Sequence, residues 1–222
     1  MKKQNSFLYR NSLSIVLTVC FILCIVGQII SGITVYEDQL RELGAPREIS
    51  LFDYLKTGHF LQTTFENWES EFLQMGMYVV LTIFLRQLGS SESKSVDKEE
   101  EVDREANPRR KNAPWPVKKG GLYLLIYKNS LSIAFAILFL LSFVLHAFGS
   151  LNNYNEEQKL KGEPVESWNE YLASDNFWYE SFQNWQSEFV AVLSIVVLSI
   201  FLRQKGSPES KPVDAPDYET GE

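Results

Sequence analysis

Cysteine and histidine are scarce in this chain, with two of each among 222 residues. Cys20 and Cys24 lie four positions apart in one apolar run, so the sequence contains no disulfide framework, and both are expected to act as small apolar fillers. His59 and His146 belong to no cluster with metal-ligand spacing. No phosphate-binding glycine loop and no nucleophile elbow is present. The sequence therefore gives no support for an enzyme, a cofactor, a catalytic residue, a metal site or a nucleic-acid partner.

Charge is missing from two long stretches. Residues 11–36 form 26 consecutive positions, and residues 129–155 form 27 positions, without Asp, Glu, Lys or Arg. A transmembrane helix needs about 20 mostly apolar residues, and a core helix of a soluble protein needs no such run. The sequence therefore predicts an all-α integral membrane protein. Cleavage of the first run as a signal peptide is disfavoured, because nearly the same sequence recurs inside the chain.

The chain contains a tandem repeat. The octapeptide Phe-Glu-Asn-Trp-Glu-Ser-Glu-Phe at 65–72 returns at 182–189 with six of eight positions identical. Tyr-Arg-Asn-Ser-Leu-Ser-Ile at 9–15 returns at 127–133 with six of seven identical. These matches predict a duplicated unit of roughly 85–90 residues. The predicted organisation is repeat 1 at 1–89, a disordered charged cytoplasmic linker at 90–121, repeat 2 at 122–206 and a disordered acidic tail at 207–222.

Each repeat is predicted to contain two transmembrane helices, at about 12–34 and 67–87 in the first repeat and at about 130–152 and 184–204 in the second. The second helix of each repeat is the difficult one, because its uncharged run has only 14 residues, about 21 Å of helix. Charge placement favours four spans, since 16 of the 21 basic residues lie in 1–10, 86–128 and 203–222. The positive-inside rule then places both termini in the cytoplasm. Repeats inserted in the same orientation would be related by a pseudo-two-fold axis along the membrane normal.

Polar side chains are predicted to meet near the outer membrane boundary, where distances along the four helices place them at similar heights. One hypothesis is that the two glutamates of this set form a cation or proton site. The alternative is a structural role in which each carboxylate caps its own helix. The set comprises Glu71, Glu188, Gln28, His146, Asn67 and Asn184.

Two further sets mark the predicted membrane boundaries. Aromatic side chains of the repeated octapeptide are expected to form an outer belt at headgroup level; they are Trp68, Trp185, Phe65 and Phe182. Basic side chains are expected to anchor the inner boundary by snorkelling, with phosphate binding as the alternative; they are Arg10, Lys128, Arg86 and Arg203. Membrane lipids are therefore the expected partners, and a homo-oligomer is left open.

The repeated segments resemble a known family. The segment at 9–14, the octapeptide at 65–72 and the pattern Phe-Leu-Arg-Gln-x-Gly-Ser-x-Glu-Ser-Lys at 84–94 and 201–211 resemble an uncharacterised bacterial multi-pass membrane family, a domain of unknown function. The resemblance covers all but the linker and the tail, and it implies the bacterial cytoplasmic membrane without any known activity.

Two functions stay open at this point. A non-enzymatic membrane scaffold or envelope component is favoured, because four helices must fill their own bundle. The alternative is a small ion- or proton-coupled permeation protein that uses Glu71 and Glu188 near the outer boundary. The sequence does not identify an ion or a small-molecule ligand.

Overall fold

The computed structural model describes residues 6–221 and contains helices but no strands within that range. The all-α prediction is therefore confirmed for this part of the chain. The helices, in chain order, are α1 (Phe7–Arg10), α2 (Ser12–Glu42), α3 (Leu51–Tyr54), α4 (Gly58–Phe84), α5 (Trp115–Lys119), α6 (Gly121–Lys128), α7 (Ser130–Lys161), α8 (Trp168–Leu172) and α9 (Asp175–Phe201).

Among the described residues, three helices are long and apolar enough to cross a membrane, namely α2, α7 and α9. This finding agrees with a membrane protein; by length and apolar composition, three helices in the described part of the chain qualify rather than the predicted four. The predicted span at 67–87 falls in α4, which has 27 residues but is less apolar than α9. The reason is visible in the aligned sequences, because α4 carries Gln74, Gly76 and Tyr78 where α9 carries Ala191, Leu193 and Ile195.

The first helix of each repeat runs further than predicted. Helix α2 continues to Glu42 rather than ending near 34, and α7 continues to Lys161 rather than ending near 152. Their last turns are polar and include ion pairs between neighbouring turns, such as Lys161 with Glu157 at 3.1 Å. Such pairs stabilise an exposed helix by about 0.2–0.5 kcal/mol each. Uncharged length alone therefore underestimates these two helices.

The chain folds into two units. Unit 1 contains the chain up to Thr64 together with Leu145–Ser174, and unit 2 contains Phe65–Val144 together with the chain from Asp175 onward. Each unit draws on both predicted repeats. The two units are described separately below.

The core of unit 1 is built from aromatic and aliphatic side chains around Tyr36, Leu40 and Tyr54, which are 0–3% exposed. The Tyr36 hydroxyl donates a 2.6 Å hydrogen bond to Glu156. The Tyr54 hydroxyl lies 3.1 Å from His59 Nδ1. Both tyrosines therefore bury their rings while their hydroxyl groups keep polar partners, as buried polar groups require.

Helix α2 enters this core with its C-terminal half, which includes the partly buried Ile29 and Ile33. Its two buried residues are Tyr36 and Leu40, whereas side chains of its earlier turns are open, with Leu13 73% and Leu23 66% exposed. Apolar side chains that are exposed along most of a helix are those of a helix surrounded by lipid.

The short helices α3 and α8 each begin at a serine that is followed three positions later by an acid. Ser50 accepts a hydrogen bond from the Asp53 backbone N–H at 3.2 Å, and Ser167 forms a capping box with Glu170. Hydrogen bonds from the Ser167 side chain and backbone lower the pKa of the Glu170 carboxyl below its ordinary value. The two copies of the repeated unit therefore start their short helices in equivalent ways.

Helices α4 and α7 approach closely in unit 1, and glycines make this possible. A Cβ on Gly149 would lie 2.5 Å from the Gln62 backbone nitrogen, and one on Gly58 would lie 2.4 Å from the Asn153 backbone nitrogen. The Asn153 side-chain amide donates a 3.0 Å hydrogen bond to Gln62 beside this crossing. Small residues that let two backbones approach are a common device of membrane helix pairs.

Local turns and ion pairs occur in the linker and the tail, which are predicted to be disordered. Within 90–121 lie a 3-10 turn at Glu101–Asp103 and helix α5, and Lys94 forms a 2.5 Å ion pair with Asp103. In the tail, the Lys211 ammonium group donates to three backbone carbonyl oxygens at 3.0–3.2 Å and is 3% exposed. Charged side chains in both segments therefore have local partners.

Candidate functional site

Helix α4 carries a group of buried polar residues in unit 2. Glu69, Ser70 and Gln74 are 0%, 1% and 3% exposed, respectively. Ser70 and Gln74 lie on one face of the helix because they are four residues apart. Burying a polar or charged side chain is costly unless it is hydrogen-bonded. The chain therefore must provide partners for this face of α4.

Trp185 of α9 provides the partner for Glu69. The indole Nε1–H donates a 2.8 Å hydrogen bond to a Glu69 carboxylate oxygen. The ring itself packs among other aromatic side chains of unit 2, with Phe182 at 5.4 Å and Phe139 at 6.5 Å between ring centroids. The surrounding rings exclude water from this contact, which strengthens the hydrogen bond between indole and carboxylate.

The two predicted glutamates also meet in unit 2. The side chains of Glu71 of α4 and Glu188 of α9 are close enough to interact, with Glu71 exposed and Glu188 half-buried. Two carboxylates in contact repel each other, whereas a carboxyl group and a carboxylate can share one proton. A pair of this kind can bind one proton between two helices.

One buried donor lies on the same helix. Among the described residues, the Gln74 Nε2 atom is buried and has no hydrogen-bond partner. Leaving a buried amide donor unsatisfied costs on the order of 1–3 kcal/mol. Gln74 is therefore a residue that a structural role alone does not explain.

The other predicted polar residues have surroundings of their own. Gln28 donates a 3.1 Å hydrogen bond to the Thr64 hydroxyl within unit 1, and His146 is fully buried. Asn67 is exposed, and the Asn184 amide donates to the Glu180 carbonyl at 3.1 Å, one turn back along α9. Of the predicted set, Glu71 and Glu188 are the pair that the structure brings together.

The predicted aromatic belt is placed unevenly. Phe182 is 58% exposed, whereas Phe65, Trp68 and Trp185 are half-buried. Trp68 stacks edge-on against Phe65 at 5.2 Å. Trp185 combines ring packing with the bond to Glu69, so it is more than a lipid-facing anchor.

The four basic residues predicted at the inner boundary lie at helix ends. Arg10 and Lys128 are in the last turns of α1 and α6 and are exposed. Arg86 and Arg203 follow α4 and α9 and donate to carbonyl oxygens of the preceding turn. A cation at a helix C-terminus is stabilised by the free carbonyl groups there.

Sequence reasoning missed Glu69, although it lies inside the repeated octapeptide. The missed signal is that the repeat is imperfect at this position, where the second copy has Gln186. The acid at this position is present in the first copy only, whereas the preceding tryptophan is present in both copies, as Trp68 and Trp185. The hydrogen bond between Trp185 and Glu69 therefore joins two positions that are not equivalent in the two copies. Position along the helix could not show which of the three nearby acids, Glu66, Glu69 and Glu71, faces the protein interior.

A comparison with protein families identifies the relatives of this chain. The model of a family described as "Domain of unknown function (DUF6766)" matches residues 4–222. No curated protein and no solved structure matches the chain.

Proposed function

The chain belongs to the DUF6766 family, and from that premise we propose that it is a non-enzymatic multi-pass membrane scaffold whose conformation depends on a proton shared by Glu71 and Glu188. The observation that supports the proposal is the close approach of these two side chains. The pair joins α4 to α9, so gaining or losing its proton changes the force between two long helices. The proposed location is a bacterial cytoplasmic membrane, with both termini on the cytoplasmic side.

The proposal includes α4 as a fourth span. The polar residues that lower its hydropathy, Glu69, Ser70 and Gln74, are buried in protein rather than exposed to lipid. The Trp185 indole satisfies the most costly of them, and polar side chains in a bilayer are tolerated when they face protein. Four spans also keep the basic segments on one side of the membrane. The repeats would then share one orientation, related by the pseudo-two-fold axis.

Cysteine labelling in intact cells tests this topology. On a background that lacks Cys20 and Cys24, single cysteines would be placed at positions 45, 100, 163 and 215. We expect a membrane-impermeant maleimide to label positions 45 and 163, and to label 100 and 215 only after the cells are permeabilised. Labelling of position 100 in intact cells would mean that α4 does not cross, and the four-span proposal would be withdrawn.

Membrane lipid is the proposed partner of the scaffold. In unit 2, an apolar groove of about 310 Å³ lies between α4 and α7. Its floor is at Gly76, where an added Cβ would lie 3.2 Å from Phe135. Apolar side chains at such a groove face hydrocarbon in a bilayer, and acyl chains fill it without loss of hydrogen bonds.

Infrared spectroscopy of the purified protein tests the shared proton. The wild-type protein should show a protonated-carboxyl band that is lost in Glu71→Gln and equally in Glu188→Gln. Because one proton is shared, the double variant should lose no more than either single variant. The control is Glu163→Gln, an exposed loop acid, which should leave the band unchanged. Independent, additive losses, or no loss at all, would contradict the proposal.

A second function, proton or cation permeation, is favoured by the buried Gln74 amide that has no partner among the described residues. A buried donor beside acids is a feature of ion pathways through membranes. Flux of protons into proteoliposomes that is abolished by combining Glu71→Gln and Glu188→Gln would select permeation. Absence of proton flux, together with the expected infrared result, would support the scaffold function and exclude permeation.

A further inference from the structure

The segments that follow α4 and α9 fold in the same way. They are called here the closing segments and comprise residues 86–94 and 203–211. In the first, the Gln87 backbone N–H donates to the Ser93 hydroxyl at 2.9 Å. In the second, the Gln204 backbone N–H donates to the Ser210 hydroxyl at 2.8 Å. Each closing segment is thus a compact turn with its own internal hydrogen bond.

The closing segments are also joined to each other within unit 2. The Ser91 hydroxyl donates to the Glu209 backbone carbonyl at 3.0 Å, and beside this contact the Ser90 hydroxyl lies 2.9 Å from the hydroxyl of Ser199, in the last turn of α9. The contact between Ser91 and Glu209 brings the Glu92 and Glu209 side chains close enough to interact. Glu92 and Glu209 occupy equivalent positions of the repeated pattern, so the junction is formed by like residues from both copies.

We propose that the Glu92–Glu209 pair is a proton-operated latch, which holds the two closing segments together when it carries a proton and releases them when the proton leaves. Two neighbouring carboxyl groups can bond to each other only through a proton. Removing it leaves two negative charges in contact at the centre of the junction. The hydrogen bonds of Ser90 and Ser91 must then hold the junction against the repulsion between the Glu92 and Glu209 carboxylates.

The groups that face Glu92 act in opposite directions on its proton: the hydrogen bond from Tyr78 favours loss of the proton, whereas the nearby Glu209 favours its retention. From α4, the Tyr78 hydroxyl donates a 3.0 Å hydrogen bond to the Glu92 carboxyl, and from the second closing segment Glu209 is in contact. Further charged groups line a cavity of unit 2 that also includes Glu92; they are Lys94, Glu100, Glu101, Asp103 and Lys128. Of these, Lys94 and Asp103 form an ion pair with each other.

The direction of the pH dependence follows from these contacts. Burial raises the pKa of the Glu92 carboxyl above its ordinary value; the hydrogen bond from Tyr78 opposes this rise, and the nearby Glu209 charge adds to it. A carboxyl whose pKa is raised in the folded protein binds more protons there than in the released state. The junction is therefore favoured at low pH, and its stability is lost as the pH rises from the ordinary carboxyl value through the raised one.

The tail is fastened onto the first closing segment, so the latch also controls the tail. The Gly89 backbone N–H donates to the Thr220 hydroxyl at 2.7 Å, and the Gly221 backbone N–H donates to the Ser90 carbonyl at 3.3 Å. A Cβ on Gly89, whose φ is +85°, would lie 2.2 Å from the Asp217 carbonyl oxygen. Movement of the closing segments apart must therefore loosen residues 217–221.

Distance measurements between two spin labels test the latch. The labels would replace the exposed side chains Leu88 and Tyr218 in full-length protein that lacks Cys20 and Cys24. We expect one narrow distance distribution at low pH and a broad one at high pH. In Glu209→Gln, the amide N–H can donate to the Glu92 carboxylate without a proton, so the narrow distribution should persist at all pH values.

Two controls keep the test decisive. Glu105→Gln removes an exposed linker acid and should keep the wild-type pH response. Glu71→Gln should also keep it, which separates the latch from the proposed function of the Glu71–Glu188 pair. A wild-type distribution that does not change with pH, or a Glu209→Gln variant that broadens as the wild type does, would overturn the latch.

Discussion

Alanine in place of Gly149 is expected to destabilise the protein by about 1–3 kcal/mol or more, as overpacking of a well-packed contact does. The new Cβ would lie 2.5 Å from the Gln62 backbone nitrogen and 2.8 Å from the Leu61 carbonyl carbon. These neighbours are backbone atoms and cannot move aside as a flexible side chain would. The α4–α7 crossing in unit 1 must therefore widen, which strains the Asn153–Gln62 hydrogen bond beside it.

Thermal unfolding in a mild detergent would measure this effect, with Gly27→Ala as the matched control. Gly27 also lies within a long helix, α2, but an added Cβ there meets nothing within 4 Å. Alanine favours a helix by about 0.5–1 kcal/mol over glycine, so the control should be neutral or stabilised. Equal melting temperatures for the two variants would show that the close approach at Gly149 does not stabilise the fold.

Phenylalanine at Trp185 should cost about 1.5–3 kcal/mol of unfolding free energy, the range for a lost hydrogen bond to a charged group. The change keeps an aromatic ring against Phe182 but removes the donor that bonds Glu69 at 2.8 Å. The Glu69 side chain, 0% exposed, has no route to water that would replace this bond. The loss should therefore be larger than the change in apolar area alone predicts.

The control for this prediction is Trp115→Phe. Trp115 is 62% exposed and contacts Tyr123 with its ring at 5.0 Å, so the control should cost less than about 0.5 kcal/mol, as surface substitutions do. Chemical unfolding of the purified variants, followed by far-UV circular dichroism, gives both values. If Trp185→Phe and Trp115→Phe cost the same, the Glu69–Trp185 bond contributes nothing to stability.

The long helices could be predicted from the sequence because an uncharged segment in a bilayer must satisfy its own backbone hydrogen bonds. A helix does this within one segment, so few other structures are possible. The ends of α2 and α7 could not be predicted, since their polar last turns are held by local ion pairs and by the core around Tyr36. The status of α4 depends on burial of Glu69, and burial is a property of contacts between helices. A hydropathy average along one helix cannot report such contacts.

The candidate site was predictable only in part, for a related reason. Two copies inserted in one orientation place equivalent residues at one height, which is why Glu71 and Glu188 were expected together. The same logic applies to Glu92 and Glu209, but their position in a charged segment suggested disorder instead. Glu69 pairs with a residue that is not its repeat equivalent, and symmetry gives no guide to such a contact.

The single-ended attachment of α2 has a mechanical consequence. Its buried residues, Tyr36 and Leu40, lie toward the C-terminal end of a 31-residue helix, whereas apolar side chains nearer its N-terminus, such as Leu13 and Leu23, are exposed. A thicker or thinner membrane would therefore change the tilt of α2 before it disturbed the core, because helices adapt to hydrophobic mismatch by tilting at small cost. The tilt angle of α2 would thus depend on membrane thickness, and α2 would transmit that dependence to the core around Tyr36.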